Sequence, residues 1–311
     1  MLIHRASLLI LLLATTSLFA QAPASQREIG PPRLPLWPAT PPGPATVNGP
    51  EADTTTAKDN LIAGRPLIRL GNVAIPTLTV YKPTTPANGE STRPAIVVFP
   101  GGGYQILALD LEGTEVCDWL THAGIYCLLV KYRVPNTGPY PKSDAALQDA
   151  QRAIGLARLH AADWGIDPTR IGVLGFSAGG HLSAAVSTHY DKRLYDPVDA
   201  ADQISCRPDF AVIVYPGYLA DDKSAFLDKL DIHVTAQTPP TFLVQAEDDP
   251  VHVENVLAYY SALKQAGVPA ELHIYAQGGH GYGLRHTSLP VTDWPRSVER
   301  WLQSIKITPT P

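Results

Sequence analysis

The stretch Ile171-Gly-Val-Leu-Gly-Phe-Ser177-Ala-Gly-Gly-His181-Leu-Ser-Ala-Ala-Val186 decides the fold of this chain. Its first part is apolar and predicts a strand, its middle carries the pattern Gly-x-Ser-x-Gly, and its last part predicts a helix. Such a turn exposes a serine hydroxyl at the end of a strand, so Ser177 is the candidate nucleophile. The same five residues also occur in ordinary Gly-Ser-rich turns, so the assignment depends on what the rest of the chain supplies.

The composition excludes several classes of protein. The 311 residues are 45% hydrophobic and 17% charged, with a formal net charge of −5 and a pI near 6.0. Such a chain can bury a large core but has no basic surface for nucleic acid or for stable association with an anionic membrane. We see no Cys/His spacing typical of a metal site, and we expect neither a metal nor an organic cofactor. The oligomeric state stays open.

The first residues are typical of a secretory signal peptide. His4 and Arg5 precede an apolar run over residues 6–20, and Ala20-Gln-Ala22 predicts cleavage after Ala22. A membrane anchor is the alternative, but the apolar run is short for a span. We therefore predict a signal peptide at 1–22 and a secreted or periplasmic protein.

Two further segments follow the predicted signal. Residues 23–60 are rich in proline and show no periodicity, which indicates an extended arm, with Leu36 and Trp37 as a docking point, or else a free linker. Residues 61–307 alternate between strand and helix patterns. This alternation predicts an α/β domain with a mainly parallel sheet covered by helices on both faces. Functional sites in such sheets form at the carboxyl ends of the strands.

A serine nucleophile needs a base, and His280 is the candidate among ten histidines. It lies in Gly278-Gly-His-Gly-Tyr-Gly283, directly after the predicted strand 270–275. His181, one turn beyond Ser177, is expected to support the turn rather than to act as the base. A carboxylate must then orient the base, and Glu247-Asp248-Asp249-Pro250 follows the predicted strand 241–245. We choose Asp249, with Asp248 as the close alternative and Glu247 third.

The glycine run Pro100-Gly101-Gly102-Gly103 follows a further predicted strand and supplies candidate backbone donors. The amides of Gly102 and Gly103, with that of Ala178 after the nucleophile, would form an oxyanion hole. A phosphate-binding loop is the rival interpretation, but no Gly-Lys-Ser/Thr follows the glycines. The chain has three cysteines. A bridge between Cys117 and Cys127 is one interpretation of them, and three buried thiols, Cys206 included, are the preferred one.

The separated motifs PGGGY, DDPV, GFSAGGH and GGHGYG resemble those of secreted bacterial α/β-hydrolase serine esterases that are acetylxylan-esterase-like or feruloyl-esterase-like. The resemblance covers about residues 60–305, and the order Ser177, Asp249, His280 agrees with it. It implies the α/β-hydrolase fold and removal of short acyl groups, chiefly acetyl, from xylan or related plant polysaccharides. A feruloyl esterase or a general small-ester carboxylesterase is the alternative within the class. A serine peptidase of the prolyl-oligopeptidase type, or a non-catalytic binding protein with this fold, is the alternative outside it.

Overall fold

The computed structural model describes residues 31–43, 47–85, 89, 91–136, 138–220 and 232–309, and all structural statements below concern these residues. The predicted signal peptide at 1–22 lies outside them. Eleven strands are present: β1 (Arg33–Pro35), β2 (Ala52–Asp53), β3 (Arg69–Gly71), β4 (Thr77–Tyr81), β5 (Arg93–Phe99), β6 (Ile106–Ala108), β7 (Tyr126–Lys131), β8 (Ile166–Phe176), β9 (Ala211–Val214), β10 (Thr241–Ala246) and β11 (Ala270–Tyr275).

The main sheet has eight strands in the order β1-β4-β7-β5-β8-β9-β10-β11. All neighbours from β7 to β11 are parallel, while β4 pairs antiparallel with both β1 and β7. Strands β2, β3 and β6 form a small antiparallel sheet. The prediction of a mainly parallel α/β-hydrolase sheet is therefore confirmed. Because β8 is central, its carboxyl end and the sharp turn at Ser177 that follows it, here called the elbow, lie at the middle of the sheet.

Helices cover both faces of the sheet. The α-helices are α1 (Glu115–His122), α2 (Asp144–Leu159), α3 (Ala161–Trp164), α4 (Ala178–Thr188), α5 (Glu254–Gln265) and α6 (Trp294–Ser304). Successive residues of β5 point to opposite faces: Val97 packs in the core beneath α2, α4 and α5, and Val98 in the core beneath α1 and α6. The apolar run over residues 94–99 of β5 follows from this two-sided burial. No helix of the described residues is long and apolar enough to cross a membrane.

The proline-rich segment contributes to the domain's core. Strand β1 pairs with the edge strand β4, and Leu36 and Trp37 behind it are buried. The Trp37 indole Nε1 donates to Asp149 Oδ1 on α2 at 2.8 Å. The guanidinium of Arg152 lies 5.6 Å from the centroid of the same ring, close enough for a cation–π contact. The residues from Arg33 to Trp37 are thus packed between the sheet edge and α2.

The preferred expectation of three free thiols is wrong. Cys117 on α1 and Cys127 on β7 form a disulfide, with Cα atoms 5.1 Å apart. The physical reason is that only a short turn connects α1 to the following strand β7. The helix therefore packs against the strand, and both side chains enter the same core beside the sheet. Cys206 is free and buried, and burial raises the pKa of its thiol.

Candidate active site

The sharp turn between β8 and α4 places Ser177 at the carboxyl end of the central strand. Ser177 has φ 51° and ψ −118°, an unfavourable conformation for a residue with a side chain. A Cβ on Gly175 would lie 2.0 Å from the Gly179 carbonyl oxygen, and one on Gly179 would lie 2.1 Å from that of Phe99. Only glycine permits these two close approaches. This explains why a glycine lies two positions before Ser177 and another lies two positions after it.

The structure brings the predicted serine, histidine and aspartate into one hydrogen-bonded row. His280 Nε2 lies 2.9 Å from Ser177 Oγ. His280 Nδ1 lies 2.9 Å from Asp249 Oδ2 and 3.0 Å from Oδ1. The three residues stand after β8, β11 and β10 respectively, so parallel strand ends deliver all of them to one edge of the sheet. The geometry is that of a nucleophile, a base and a carboxylate that orients the base.

The two neighbouring aspartates have different contacts. Asp249 is only 4% exposed and, besides His280, accepts from Val251 N at 2.7 Å and from Gln245 Nε2 at 3.0 Å. Asp248 is exposed, and its Oδ1 accepts the amides of Gly278 and Gly279 at 2.9 and 2.7 Å. Asp248 thus shapes the loop that carries the histidine, whereas Asp249 contacts the imidazole itself. Glu247 is exposed and makes neither contact.

The glycine loop after β5 lies beside Ser177. Gly102 and Gly103 line the same cleft as Ser177 and His280, and Ala178 is the first residue of α4. Lipases and esterases of the α/β-hydrolase fold can carry an HGGG-type oxyanion loop, which begins with histidine, whereas this loop begins with Pro100. Here Tyr132 Oη donates to the Pro100 carbonyl at 2.6 Å, and the Gly101 amide donates to Glu112 Oε2 at 2.6 Å. These two contacts brace the loop without a histidine.

Glu112 was not predicted as a site residue, yet it connects three parts of the site. Besides the Gly101 amide, its carboxylate accepts from Tyr215 Oη at 2.9 Å, and that hydroxyl accepts the Gly283 amide at 3.2 Å. The Tyr215 ring lies 5.0 Å from the His280 ring, edge to face. Burial raises the pKa of the Glu112 carboxyl. One buried carboxyl thereby links the glycine loop to the histidine loop through Tyr215.

We expect Glu112→Ala to lower kcat on a simple acetate ester by about 10²-fold, because small displacements of catalytic donors cost about that much. Glu112→Gln keeps an acceptor for the Gly101 amide, so its loss is expected to be about tenfold or less. Steady-state kinetics on ethyl acetate measure both values. Glu51→Ala, which removes an exposed partner of Lys131, is the control. A Glu112→Ala enzyme with the wild-type kcat would contradict the assignment.

His181 is buried on α4 and does not face Ser177 as a base. Its Nδ1 is 2.8 Å from Tyr104 Oη, and only 1% of the residue is exposed. Burial lowers the pKa of the imidazole to about 3, because a charged ring is poorly solvated there. His181 therefore stays neutral in the folded protein and fixes Tyr104 behind the cleft.

This buried histidine predicts acid sensitivity. The unfolded chain binds a proton at His181 near pH 6.5, whereas the folded protein does so only near pH 3, so stability falls as the pH drops through this window. In His181→Gln the slope of unfolding free energy against pH is expected to be shallower between pH 6.5 and 5. Urea denaturation at both pH values measures it, with the exposed His122→Gln as control. An unchanged slope in His181→Gln would contradict the prediction.

The cleft in front of Ser177 has a volume of about 790 Å³ and exceeds what a short acyl group needs. Its walls come from the glycine loop, the small sheet and the segments after β9 and β10, with Arg69, Ile106, Leu111, Tyr218, His252 and Asn255 among the lining residues. Among the described residues, no group of three His, Cys, Asp or Glu side chains is arranged to hold a metal ion.

Comparison with known proteins assigns the chain to a family. The BD-FAE family matches residues 78–215, and the Prolyl oligopeptidase family matches residues 210–305. The acetyl ester-xyloside bifunctional hydrolase of Caldicellulosiruptor lactoaceticus is 34% identical in sequence. Its structure superposes with a TM-score of 0.68 over 90% of this chain and 99% of that one.

Curated sequences give the same relationship. The acetylxylan esterase of Xylanibacter ruminicola is 33% identical over 235 residues, which are 68% of this chain and 45% of that protein. The endo-1,4-beta-xylanase B of Butyrivibrio fibrisolvens is 28% identical over 67% of this chain and 34% of that protein. The chain spans less than half the length of these two relatives. It belongs to the α/β-hydrolase serine esterases, in the acetylxylan-esterase-like family.

Proposed function

We propose that this protein is a serine carboxylesterase that removes short acyl groups, chiefly acetyl, from xylan or its oligosaccharides. The observation that carries the proposal is the hydrogen-bonded row Ser177–His280–Asp249, with both contacts at 2.9 Å, of which Ser177 and His280 line the cleft. The substrate class rests on the relatives, of which one is named an acetylxylan esterase and one an acetyl ester-xyloside hydrolase.

In the proposed reaction, Ser177 Oγ attacks the ester carbonyl carbon while His280 Nε2 takes the hydroxyl proton. The tetrahedral oxyanion is stabilised by the amides of Gly102, Gly103 and Ala178. The C–O bond to the alcohol breaks, and His280 returns the proton to the departing alkoxide. Water, deprotonated by His280, then attacks the acyl carbon, the bond to Ser177 Oγ breaks with release of the acid, and His280 returns the proton to Ser177 Oγ. Asp249 holds the imidazole in the required tautomer and stabilises its cationic form.

A serine peptidase is the second candidate, because the Prolyl oligopeptidase family matches residues 210–305. That range contains Asp249 and His280, which peptidases and esterases of this fold use in the same way. The match therefore supports catalytic roles for Asp249 and His280, but it does not distinguish peptide substrates from ester substrates. The relatives matched over most of the chain include several named esterases and carboxylesterases and an ethyl acetate hydrolase of Pseudomonas putida, besides the xylanase.

We also propose that residues 1–22 are a signal peptide and that the protein works outside the cytoplasm. The disulfide between Cys117 and Cys127 supports this, because such bonds form and persist in oxidising compartments. N-terminal sequencing of the protein exported by a bacterial host tests it, with Gln21-Ala22 absent and Pro23 expected as the first residue. An exported protein that retains Met1 would contradict cleavage.

The activity is tested by acid release from a substrate panel. Purified protein is expected to release acetate from acetylated xylan and from ethyl acetate, less ferulate from feruloylated arabinoxylan, and no amine from a prolyl peptide. Chromatography of the released acids and a ninhydrin assay measure these products. Folded protein that cleaves the peptide and neither acetate ester would replace the esterase proposal by the peptidase one.

A further inference from the structure

Tyr218 is an exposed aromatic residue on the wall of the cleft that contains Ser177. It is 47% exposed, while the other tyrosines nearest the cleft, Tyr104 and Tyr215, are fully buried. Its backbone has φ 62°, in the left-handed region that a residue with a Cβ seldom adopts. Tyr104 and Tyr215 share the positive φ, so the exposure of Tyr218 is the feature that packing in the core does not explain. Residues held in such a backbone conformation concentrate at functional sites.

The turn that carries Tyr218 is fixed on both sides. The Gly217 amide donates to the Ser177 carbonyl at 3.3 Å, which ties the turn to the elbow. Asn255 Oδ1 on α5 accepts the amides of Leu219 at 2.7 Å and Ala220 at 3.0 Å. Asn255 is buried, and its amide nitrogen donates to Val251 O at 2.6 Å. The position of Tyr218 is therefore set relative to the nucleophile before any substrate binds.

The Tyr218 ring reaches from the cleft wall to the glycine loop. Its centroid lies 6.1 Å from that of Tyr104, with 30° between the planes, and the His181 ring meets it edge to face at 5.9 Å. A Cβ built on Gly103 would be 3.9 Å from Tyr218 Oη, so the hydroxyl end lies beside the proposed oxyanion hole. The part of the ring that these neighbours leave uncovered lines the cleft.

We propose that Tyr218 is a sugar platform: the pyranose ring that bears the acyl group lies against its aromatic face while the ester reaches Ser177. A pyranose has an apolar C–H face and polar edges, so it fits an aromatic wall that has polar groups around it. Asn60 and Arg69 line the same cleft and provide such groups for the hydroxyls. The substrate class is then O-acetylated pyranosides, and the inference rests on the proposed esterase function.

The test compares a sugar ester with an ester that has no ring. For Tyr218→Ala and Tyr218→Leu, the ratio of kcat/KM on acetylated xylotriose to that on ethyl acetate is expected to fall about tenfold, mainly through a higher KM on the sugar ester. Tyr218→Phe keeps the aromatic face and is expected to keep the ratio within about threefold. Ile75→Ala, an exposed apolar residue that does not line this cleft, is the matched control.

Unacetylated xylotriose gives a second readout that needs no sugar ester. It is expected to inhibit ethyl acetate hydrolysis competitively in the wild type, and about tenfold more weakly in Tyr218→Leu. An unchanged ratio and inhibition constant in Tyr218→Leu would overturn the platform. So would a Tyr218→Phe ratio as low as that of Tyr218→Ala, which would make the hydroxyl the essential group. Failure of the esterase proposal is distinct, because the wild type would then hydrolyse neither ester.

Discussion

Ser177→Ala is expected to lower kcat on any ester by about 10⁶-fold, because a triad without its nucleophile keeps only the contributions of binding and the oxyanion hole. KM should change little, since the methyl group leaves the cleft walls in place. Acetate release measured by pH-stat over several hours gives the residual rate. Ser183→Ala, which removes a buried hydroxyl on the same helix α4, is the matched control and should keep kcat within about tenfold.

A covalent probe identifies the nucleophile independently. A fluorophosphonate should add one phosphonyl group to the wild-type protein at the peptide that contains Ser177, and none to Ser177→Ala. Mass spectrometry of the digested protein locates the adduct. Undiminished turnover in Ser177→Ala, or labelling at another serine in the wild type, would remove Ser177 from the proposed mechanism.

Asp249→Asn is expected to lower kcat by about 10⁴-fold, because an amide in place of the carboxylate favours the wrong imidazole tautomer. The matched variant is Asp248→Asn. Its Oδ1 can still accept the Gly278 and Gly279 amides, so its loss is expected to stay near tenfold or below. Steady-state kinetics at saturating ethyl acetate measure both.

These two variants are well matched because both replace an aspartate by asparagine at adjacent positions. A difference in kcat between them therefore reports the contact with His280 that only Asp249 makes. Equal losses in Asp249→Asn and Asp248→Asn would leave the assignment of Asp249 as the orienting acid without support. Far-UV circular dichroism and thermal melting of both proteins check that each loss reflects chemistry at His280 rather than unfolding. The expected order of kcat is wild type, then Asp248→Asn, then Asp249→Asn.

Much of this site could be predicted from the sequence because its parts stand at strand ends. Ser177, Asp249 and His280 each follow a predicted strand, and the structure brings the three together. The sequence favoured Asp249 but kept Asp248 as a close alternative, because two adjacent aspartates give no periodic signal; their different contacts appear only in the structure. The short strands β1, β2 and β6, of two or three residues each, are too short to show a strand pattern.

The supporting contacts could not be predicted, because they join residues far apart in the chain. Glu112 and Tyr215 are 103 positions apart, and neither lies in a motif that predicts their contact. Tyr218 shows its role only through exposure and backbone conformation, which the sequence does not reveal. The disulfide was only the less favoured interpretation, because a separation of ten residues is compatible with many arrangements of a helix and the next strand.

The packed segment from Arg33 to Trp37 has a consequence for biosynthesis. It leaves the ribosome before all of its partners: β4 follows some forty residues later, and Asp149, which accepts from the Trp37 indole, 112 residues later. The Trp37 hydrogen bond can therefore form only after α2 has been translated, and one backbone edge of β4 is unpaired until β1 docks on it. Unpaired strand edges promote aggregation, so β1 covers the edge at which nascent copies of this protein would otherwise associate.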